Sequence, residues 1–448
     1  MNNKDTLTPI CDFVKNYIEN DFTRLHMPGH KGKSHLGFEA LDITEFYGAD
    51  ELYSPNGIIL NSEQNATDLF NTAHTFYSTE GSSLTIKAML GIATSGVENP
   101  LILAFRNVHK SFIYAAALLD IDVEWIYPDS FNHLCSCEVA EQSVEKAILN
   151  AKRKPTAVYI TSPDYLGNIA DIKSISAICE KHGIPLLVDN AHGAYLAFLD
   201  KSLHPIHLGA AMCADSAHKT LPVLTGGGYL HISKNAPKEY ITSARDMLSI
   251  FASSSPSYLI MQSLDYCNKY LTDNYHGRLK DCIKAVDELK IRLSSCGYII
   301  PKSEPLKLVI DAKSYGYFGE KIAEHLRNDK IEIEFFDKDY LVMMFTPENS
   351  VNDFSRLENS LKNLPKKTEI PNKAFEISKN EVVCSIRTAV FSKKETVFIK
   401  DALNRISATP TVACPPCIPI VMSGEKINES TIDLLNEYGI DKIDVICL

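Results

Sequence analysis

"ADSAHKTLPVLTGGGYLHI", residues 214–232, sets Lys219 between a histidine and a threonine shortly before three consecutive glycines. Lysines usually sit on solvated faces, yet Leu221, Pro222, Val223 and Leu224 directly after this one are apolar and predict a partly buried loop. A buried ammonium is costly unless it is paired or put to chemical use. The stretch therefore poses a question of chemistry as well as of fold.

The surrounding pattern places that lysine. From Gly81 onward short apolar runs alternate with helical spacing: Leu101–Phe105, Ala157–Thr161, Pro185–Asp189 and Gly228–Ile232 read as strands, and Ser83–Thr94, Ser111–Leu119 and Ile172–His182 as helices. Such alternation predicts an α/β fold with a mostly parallel sheet covered on both faces. A long amphipathic helix (Leu279–Leu293) leads into a second pattern. There Leu306–Ile310, a helix around Phe318–Leu326, Ile331–Phe335 and Leu341–Phe345 predict a smaller α+β unit. The expected organisation is an irregular arm over 1–60, a large domain over 61–275, a small domain over 276–364, the linker LPKKTEIPNK (364–373) and a last segment over 374–448.

Composition narrows the function classes. Of 448 residues, 45% are apolar and 23% charged, the balance of a folded globular chain. The amino terminus lacks a basic start followed by an apolar block, and no window approaches the roughly 18 uninterrupted apolar residues of a membrane span, so the expectation is a cytoplasmic protein without a membrane partner. A formal charge of −11 argues against nucleic acid as a partner and mildly favours a cationic small substrate. Twelve cysteines without framework spacing read as reduced, packed thiols.

In an open parallel sheet the ligand site lies beyond the carboxyl ends of the strands. Four loops there stand out. In STEGSSLTIKAML, Gly81, Ser82 and Ser83 open a helix whose free amides and hydroxyls suit an anion, although a plain serine cap is the simpler reading. FRNVHKS carries His109 just after a strand. In PLLVDNAHGAY, Asp189 ends a strand and His192 follows; a carboxylate at low dielectric either caps a turn or keeps a heterocyclic nitrogen protonated. The fourth loop holds Lys219 with Ser216 and His218. Together they supply a phosphate cradle, an imidazole, a carboxylate and a lysine in the order expected of a pyridoxal 5'-phosphate site.

The sequence also resembles the ornithine/lysine/arginine decarboxylases of the aspartate-aminotransferase-like fold (fold type I). The matching motifs are HMPGHKG, DITE with DELYSPNG, GSS, RNVHKS, TSPDYLGNIADI, LLVDNAHGAY, DSAHKTLPVLTGG, SSSPSY and PPCIPIVMSGE, in family order from residue 26 to residue 425. The chain looks like the short form, without a receiver-like amino-terminal domain. The resemblance implies that Lys219 forms the Schiff base, Asp189 salt-bridges the pyridine nitrogen, His109 stacks on the ring beside Ala191, and Ser82, Ser83, Ser216 and His218 hold the phosphate. It implies that Ser254, within Ser253–Ser255, serves the neighbouring subunit of a homodimer or higher even-numbered oligomer, and that Lys219 or His192 returns the proton to Cα after decarboxylation. Asp50 and Glu51 are the expected readers of the substrate's distal cation.

Asn190, Asp164 and Cys417 depart from the family pattern, and Cys417 forms a Cys-x-x-Cys with Cys414. With two prolines between the cysteines, a packed loop is expected there and no metal. His30 and Lys31 of PGHKG either touch phosphate or shape a turn. Two other readings stay open: an aminotransferase or lyase of the same fold, with Arg327, Arg356, Arg387 or Arg405 on the substrate carboxylate, and a non-catalytic homologue. An intact Lys219, Asp189 and His109 argue against the last.

Overall fold

Seven short strands build the main sheet because each is a run of mostly apolar residues closed by a turn. They are β1 (His74–Ser78), β2 (Leu101–Phe105), β3 (Asp122–Ile126), β4 (Ala157–Thr161), β5 (Leu186–Asp189), β6 (Met212–Asp215) and β7 (Gly228–Ile232). This computed structural model describes residues 7–128, 133–371, 379–410 and 418–447; Cys414 and Cys417 lie outside them. The strand order is β1-β7-β6-β5-β4-β2-β3. Only β7 runs antiparallel to its neighbours β1 and β6, so the sheet is mostly parallel, as the alternation predicts.

Successive side chains of a strand face opposite ways. Ile102 and Ala104 of β2 therefore enter one core with Leu84 and Met89 of the helix Gly81–Thr94, while Leu103 and Phe105 enter another with Ile175 and Cys179 of the helix Ile172–Lys181. Both faces of the sheet are covered. Three strands of this sheet, β1, β3 and β6, escaped the sequence reading. β6 is four residues long, and β3 mixes Asp122 and Glu124 into its run, so neither carries a strong strand signal.

The arm corrects an expectation. Its first part is a helix, Pro9–Glu19, whose Ile10, Val14 and Tyr17 form a buried stripe at helical spacing. A second helix, Ile58–Leu69, straddles the expected boundary at residue 60. After the helix Tyr275–Ser295 comes a three-stranded antiparallel sheet of β8 (Lys307–Asp311), β9 (Phe335–Phe336) and β10 (Tyr340–Met344), in the order β8-β10-β9. The expected strand Ile331–Phe335 is reduced to the two residues of β9. The last segment adds the antiparallel pair β11 (Lys394–Phe398) and β12 (Lys442–Ile446). No helix among the described residues is long and apolar enough to cross a membrane.

One ion pair ties this last segment to the sheet. Arg106, directly after β2, is fully buried, and its guanidinium donates to both carboxylate oxygens of Glu425 at 2.6 and 3.1 Å. Removing one member of a buried pair strands the other charge in a medium that solvates it poorly. Arg106→Ala is expected to lower unfolding stability by about 3–5 kcal/mol in urea titrations; an unchanged midpoint would show that the pair contributes nothing net.

Candidate active site

Strands β1, β2, β4, β5 and β6 end on one edge of the sheet, and the loops that follow them enclose a cavity of about 260 Å³. The anion end comes from β1. Gly81 takes a positive φ of 64° and donates its N–H to the Gly226 carbonyl at 2.6 Å, turning the chain into the helix Gly81–Thr94. The Ser216 hydroxyl donates to that of Ser82 at 2.8 Å, so two hydroxyls meet at the positive end of this helix. The glycine run of the opening motif has a steric reason. A Cβ on Gly228 would lie 2.8 Å from the Asp215 carbonyl and 3.1 Å from the Gly81 carbonyl carbon, so only glycine lets β7 pass beneath the cradle. His218 spends one ring nitrogen, Nδ1, on the Gly227 carbonyl at 2.9 Å, and reaches an anion only through a protonated Nε2.

The next wall suits a flat, electron-poor ring. His109 caps the helix Lys110–Leu119, its Nδ1 accepting from the Ser111 amide, and burial beside Lys219 and Lys110 pushes its pKa down to about 4. It presents an uncharged imidazole. Asp189 ends β5, buried, and among the described residues accepts only two long bonds, from the Ala191 amide at 3.2 Å and the Tyr159 hydroxyl at 3.3 Å. Burial pushes its carboxyl up to about 6, against the opposing pull of Lys219. Behind it, Asp215 is also buried but fully served. His204 and His231 contact one of its oxygens at 3.0 and 3.2 Å, and Asn190 donates to the other at 2.8 Å. The three ligand-type atoms of His204, Asp215 and His231 lie within 4.8 Å of one another, and hydrogen bonds between imidazole and carboxylate account for that spacing.

Lys219 follows β6, which pairs with β5 so that Asp189 lies opposite Ala214. Burial pushes its pKa down. Its Nζ lies 3.0 Å from Nε2 of His192. On the far side of the same ring is Lys307 of β8, buried, 3.4 Å from Nδ1 and paired with Glu304 at 2.6 Å. The sequence reading missed Lys307 and Glu304, Tyr159 against Asp189, and Asn107 and Tyr165 at the cavity.

Lys219, His192, Asp189, Ala191, His109, Ser82, Ser83, Ser216 and His218 all line this cavity. Asp50, Glu51 and Ser254 do not. Asp50 caps a helix: its carboxylate accepts from the amides of Glu51, Asn56, Gly57 and Ile59, tying the arm to the start of the helix Ile58–Leu69. Glu51 is exposed on the arm and Ser254 on the surface, although neighbouring Ser253 donates its amide to Glu80 at the cavity mouth. PGHKG is a turn, with His30 bound to Asp42 and to the Gly32 amide. The four arginines also lie elsewhere. Arg327 pairs with Glu332, Arg405 with Glu395, Arg356 donates to the Asp329 carbonyl and Arg387 to that of Ala117.

Comparison with known proteins matches residues 8–306 to the major domain of the Orn/Lys/Arg decarboxylases, and residues 370–438 to their C-terminal domain. The chain belongs to the Orn/Lys/Arg decarboxylase family. It is 29% identical to the arginine decarboxylase of Bacillus subtilis over 96% of this chain and 93% of that one. It is 28% identical to the arginine decarboxylase of Halalkalibacterium halodurans over the same shares, 96% and 93%. Among solved structures, the lysine decarboxylase of Francisella novicida superposes with a TM-score of 0.84 at 16% identity, over 99% of this chain and 82% of that one. A serine palmitoyltransferase of Sphingomonas wittichii shares the fold more distantly, with a TM-score of 0.55 at 13% identity over 80% of this chain and 84% of that one. The fold is that of the type I pyridoxal-phosphate enzymes, and the family reaction is decarboxylation of a basic amino acid.

The Asp189 carboxyl has a consequence for stability. Raised from 3.8 to about 6 in the folded chain, it binds its proton more tightly folded than unfolded, so the cofactor-free protein loses stability as pH rises through that interval. Asp189→Asn is expected to be indistinguishable from the parent below pH about 4 and more stable by up to about 3 kcal/mol at pH 8, from 1.36 kcal/mol per pKa unit. Urea unfolding at the two pH values checks this; a variant less stable at pH 8 would contradict it.

Proposed function

We propose that this decarboxylase binds pyridoxal 5'-phosphate in the described cavity, through Lys219, and acts on arginine. The observation that carries the reading is the pairing of β5 with β6, which sets a carboxylate in need of a cation, Asp189, on the strand next to the one that delivers a lysine with a depressed pKa, Lys219. The residues fit the cofactor. Asp189 is short of strong partners and a pyridinium N–H supplies one; His109 is flat and neutral; Ser82, Ser83 and Ser216 stand at a helix start suited to a phosphate. Bound there, the cofactor supplies an electron sink for the pair of electrons left on Cα when carbon dioxide departs.

The chain's own groups do the rest. Asp189 keeps the ring nitrogen protonated, the helix start holds the phosphate, and Lys219 moves protons at Nζ. The position of the four arginines favours decarboxylation over transamination, in which a small-domain arginine would pair with the substrate carboxylate. For the distal cation, Glu334 replaces the arm acids in the reading. It accepts from the hydroxyl of Tyr165, a cavity residue, at 2.9 Å, and its charge reaches Lys219. Arginine is favoured because the relatives matched over nearly their whole length are arginine decarboxylases. Exposed Leu25, Leu36 and Tyr47 on the arm, and the exposed Ser254 close to the cavity mouth, support a homodimer with shared sites. Buried cysteines outside any disulfide, such as Cys179, Cys213 and Cys267, suit a cytoplasmic enzyme.

Carbon dioxide release from arginine, lysine and ornithine, with products identified by mass, tests the reading. Arginine is expected to be turned over best, Lys219→Ala to release none while keeping its fold by circular dichroism, and Glu334→Gln to raise KM without weakening cofactor binding. Full turnover by Lys219→Ala, or no release from any of the three by the parent, would overturn it.

A further inference from the structure

The ring of His192 lies between two lysines, and their chemistry dictates its proton. Lys307 Nζ is 3.4 Å from Nδ1, and it is held there by Glu304 at 2.6 Å and by the carbonyls of Tyr165 and Asp164 at 3.3 and 3.5 Å. Glu304 is fixed in turn by the Tyr195 hydroxyl at 3.0 Å and through its own amide, which donates to the Gly167 carbonyl at 2.7 Å. An ammonium has hydrogens and no lone pair, so the nitrogen that faces it must accept. Nδ1 is therefore bare. A neutral ring then carries its hydrogen on Nε2, the atom 3.0 Å from Lys219 Nζ.

The opposite tautomer would set N–H against N–H at Lys307. A charged ring would stand between two amines with no carboxylate of its own, since Glu304 is spent on Lys307. Among the described residues, the other groups that face the ring, His109, His218 and the edge-packed Tyr165 at 5.3 Å, offer it no anion. Burial and both lysines push its pKa down, in agreement with the geometry.

We propose that Lys307 is a positioning residue that locks His192 as the neutral Nε2–H tautomer, so that His192 donates to the Lys219 nitrogen while that nitrogen is uncharged, lets go of it once it is protonated, and leaves Lys219 alone to carry the proton to Cα. This rests on Lys219 being the reactive lysine. The balance is simple. The Cα–carboxylate bond breaks, its electron pair takes one proton from Lys219 as the new Cα–H bond, and Lys219 regains a proton from solvent. A neutral imidazole that gave up Nε2–H would become an anion, so His192 ends the cycle with the proton it began with.

The test is the ring-nitrogen spectrum of the full chain labelled with 15N-histidine, recorded with and without cofactor, with His192 assigned by the loss of its signals in His192→Asn. The expected result is the Nε2–H pattern through the neutral pH range in both states. In Lys307→Met the ring is expected to gain a titration, seen in its 15N signals and as a new limb in the pH dependence of the holoenzyme's visible band, in the region of the ordinary imidazole value of about 6.5. Lys307→Met/Glu304→Gln removes both charges together, and is expected to show the same titration at lower pH should the single variant fold poorly. An Nδ1–H or doubly protonated His192 in the parent, or ring signals unmoved in both variants, would overturn the proposal. Loss of the visible band in every holoprotein would instead count against the cofactor reading, because the signals of the cofactor-free chain report the tautomer independently.

Discussion

Charge without water is costly, and this chain sets two lysines, Lys307 buried and Lys219 half-buried, on either side of one imidazole. The two are handled in opposite ways. Lys307 is matched by Glu304 at 2.6 Å and by the Tyr165 carbonyl. Lys219 is not matched closely. Its pKa falls with burial, and the attraction of Asp189 only partly opposes the fall. The difference between a paired and an underpaired lysine separates a structural cation from a reactive amine.

The fold exists to keep that difference fixed. Parallel strands bring five loops to one edge, and register does the finer positioning: with Asp189 opposite Ala214, the carboxylate and the lysine loop emerge on adjacent strands. The smaller sheet contributes Lys307 from the first residue of β8, anchored where Glu304 meets Gly167 in the loop after β4. Gly167 has a positive φ of 88°, and a Cβ on it would come within 2.9 Å of Ser303 and 3.0 Å of the Glu304 nitrogen, so the close approach of the two parts requires glycine there. The site is thus built across two sheets. Burial of Asp189 at a cost in stability fits a carboxylate that waits for a cationic ligand.

Much of this was legible in the sequence. Strand ends followed by Gly-Ser-Ser, His109, Asp189 and Lys219 stand out because loop chemistry after an apolar run is a local signal. Lys307 was not legible. In the run PLKLVID it reads as the solvent-facing residue of an edge strand, and only the tertiary approach of the 164–167 loop makes it an interior group. The capping role of Asp50 was overlooked for the opposite reason. A punctuated, acidic motif drew a substrate role, whereas an aspartate shortly before Pro-Asn-Gly and a helix is already explained by amide capping. The partnership of Arg106 with Glu425 was also hidden, because nothing local links two motifs at opposite ends of the chain.

The chemistry proposed for this chain turns on Lys219 as its cofactor-bearing lysine. Borohydride reduction of the protein saturated with pyridoxal phosphate, followed by proteolysis and mass mapping, tests it most directly. A single phosphopyridoxyl group is expected, on Lys219, with Lys307 unmodified; a label confined to any other lysine, or a protein that takes up none, would rule that role out.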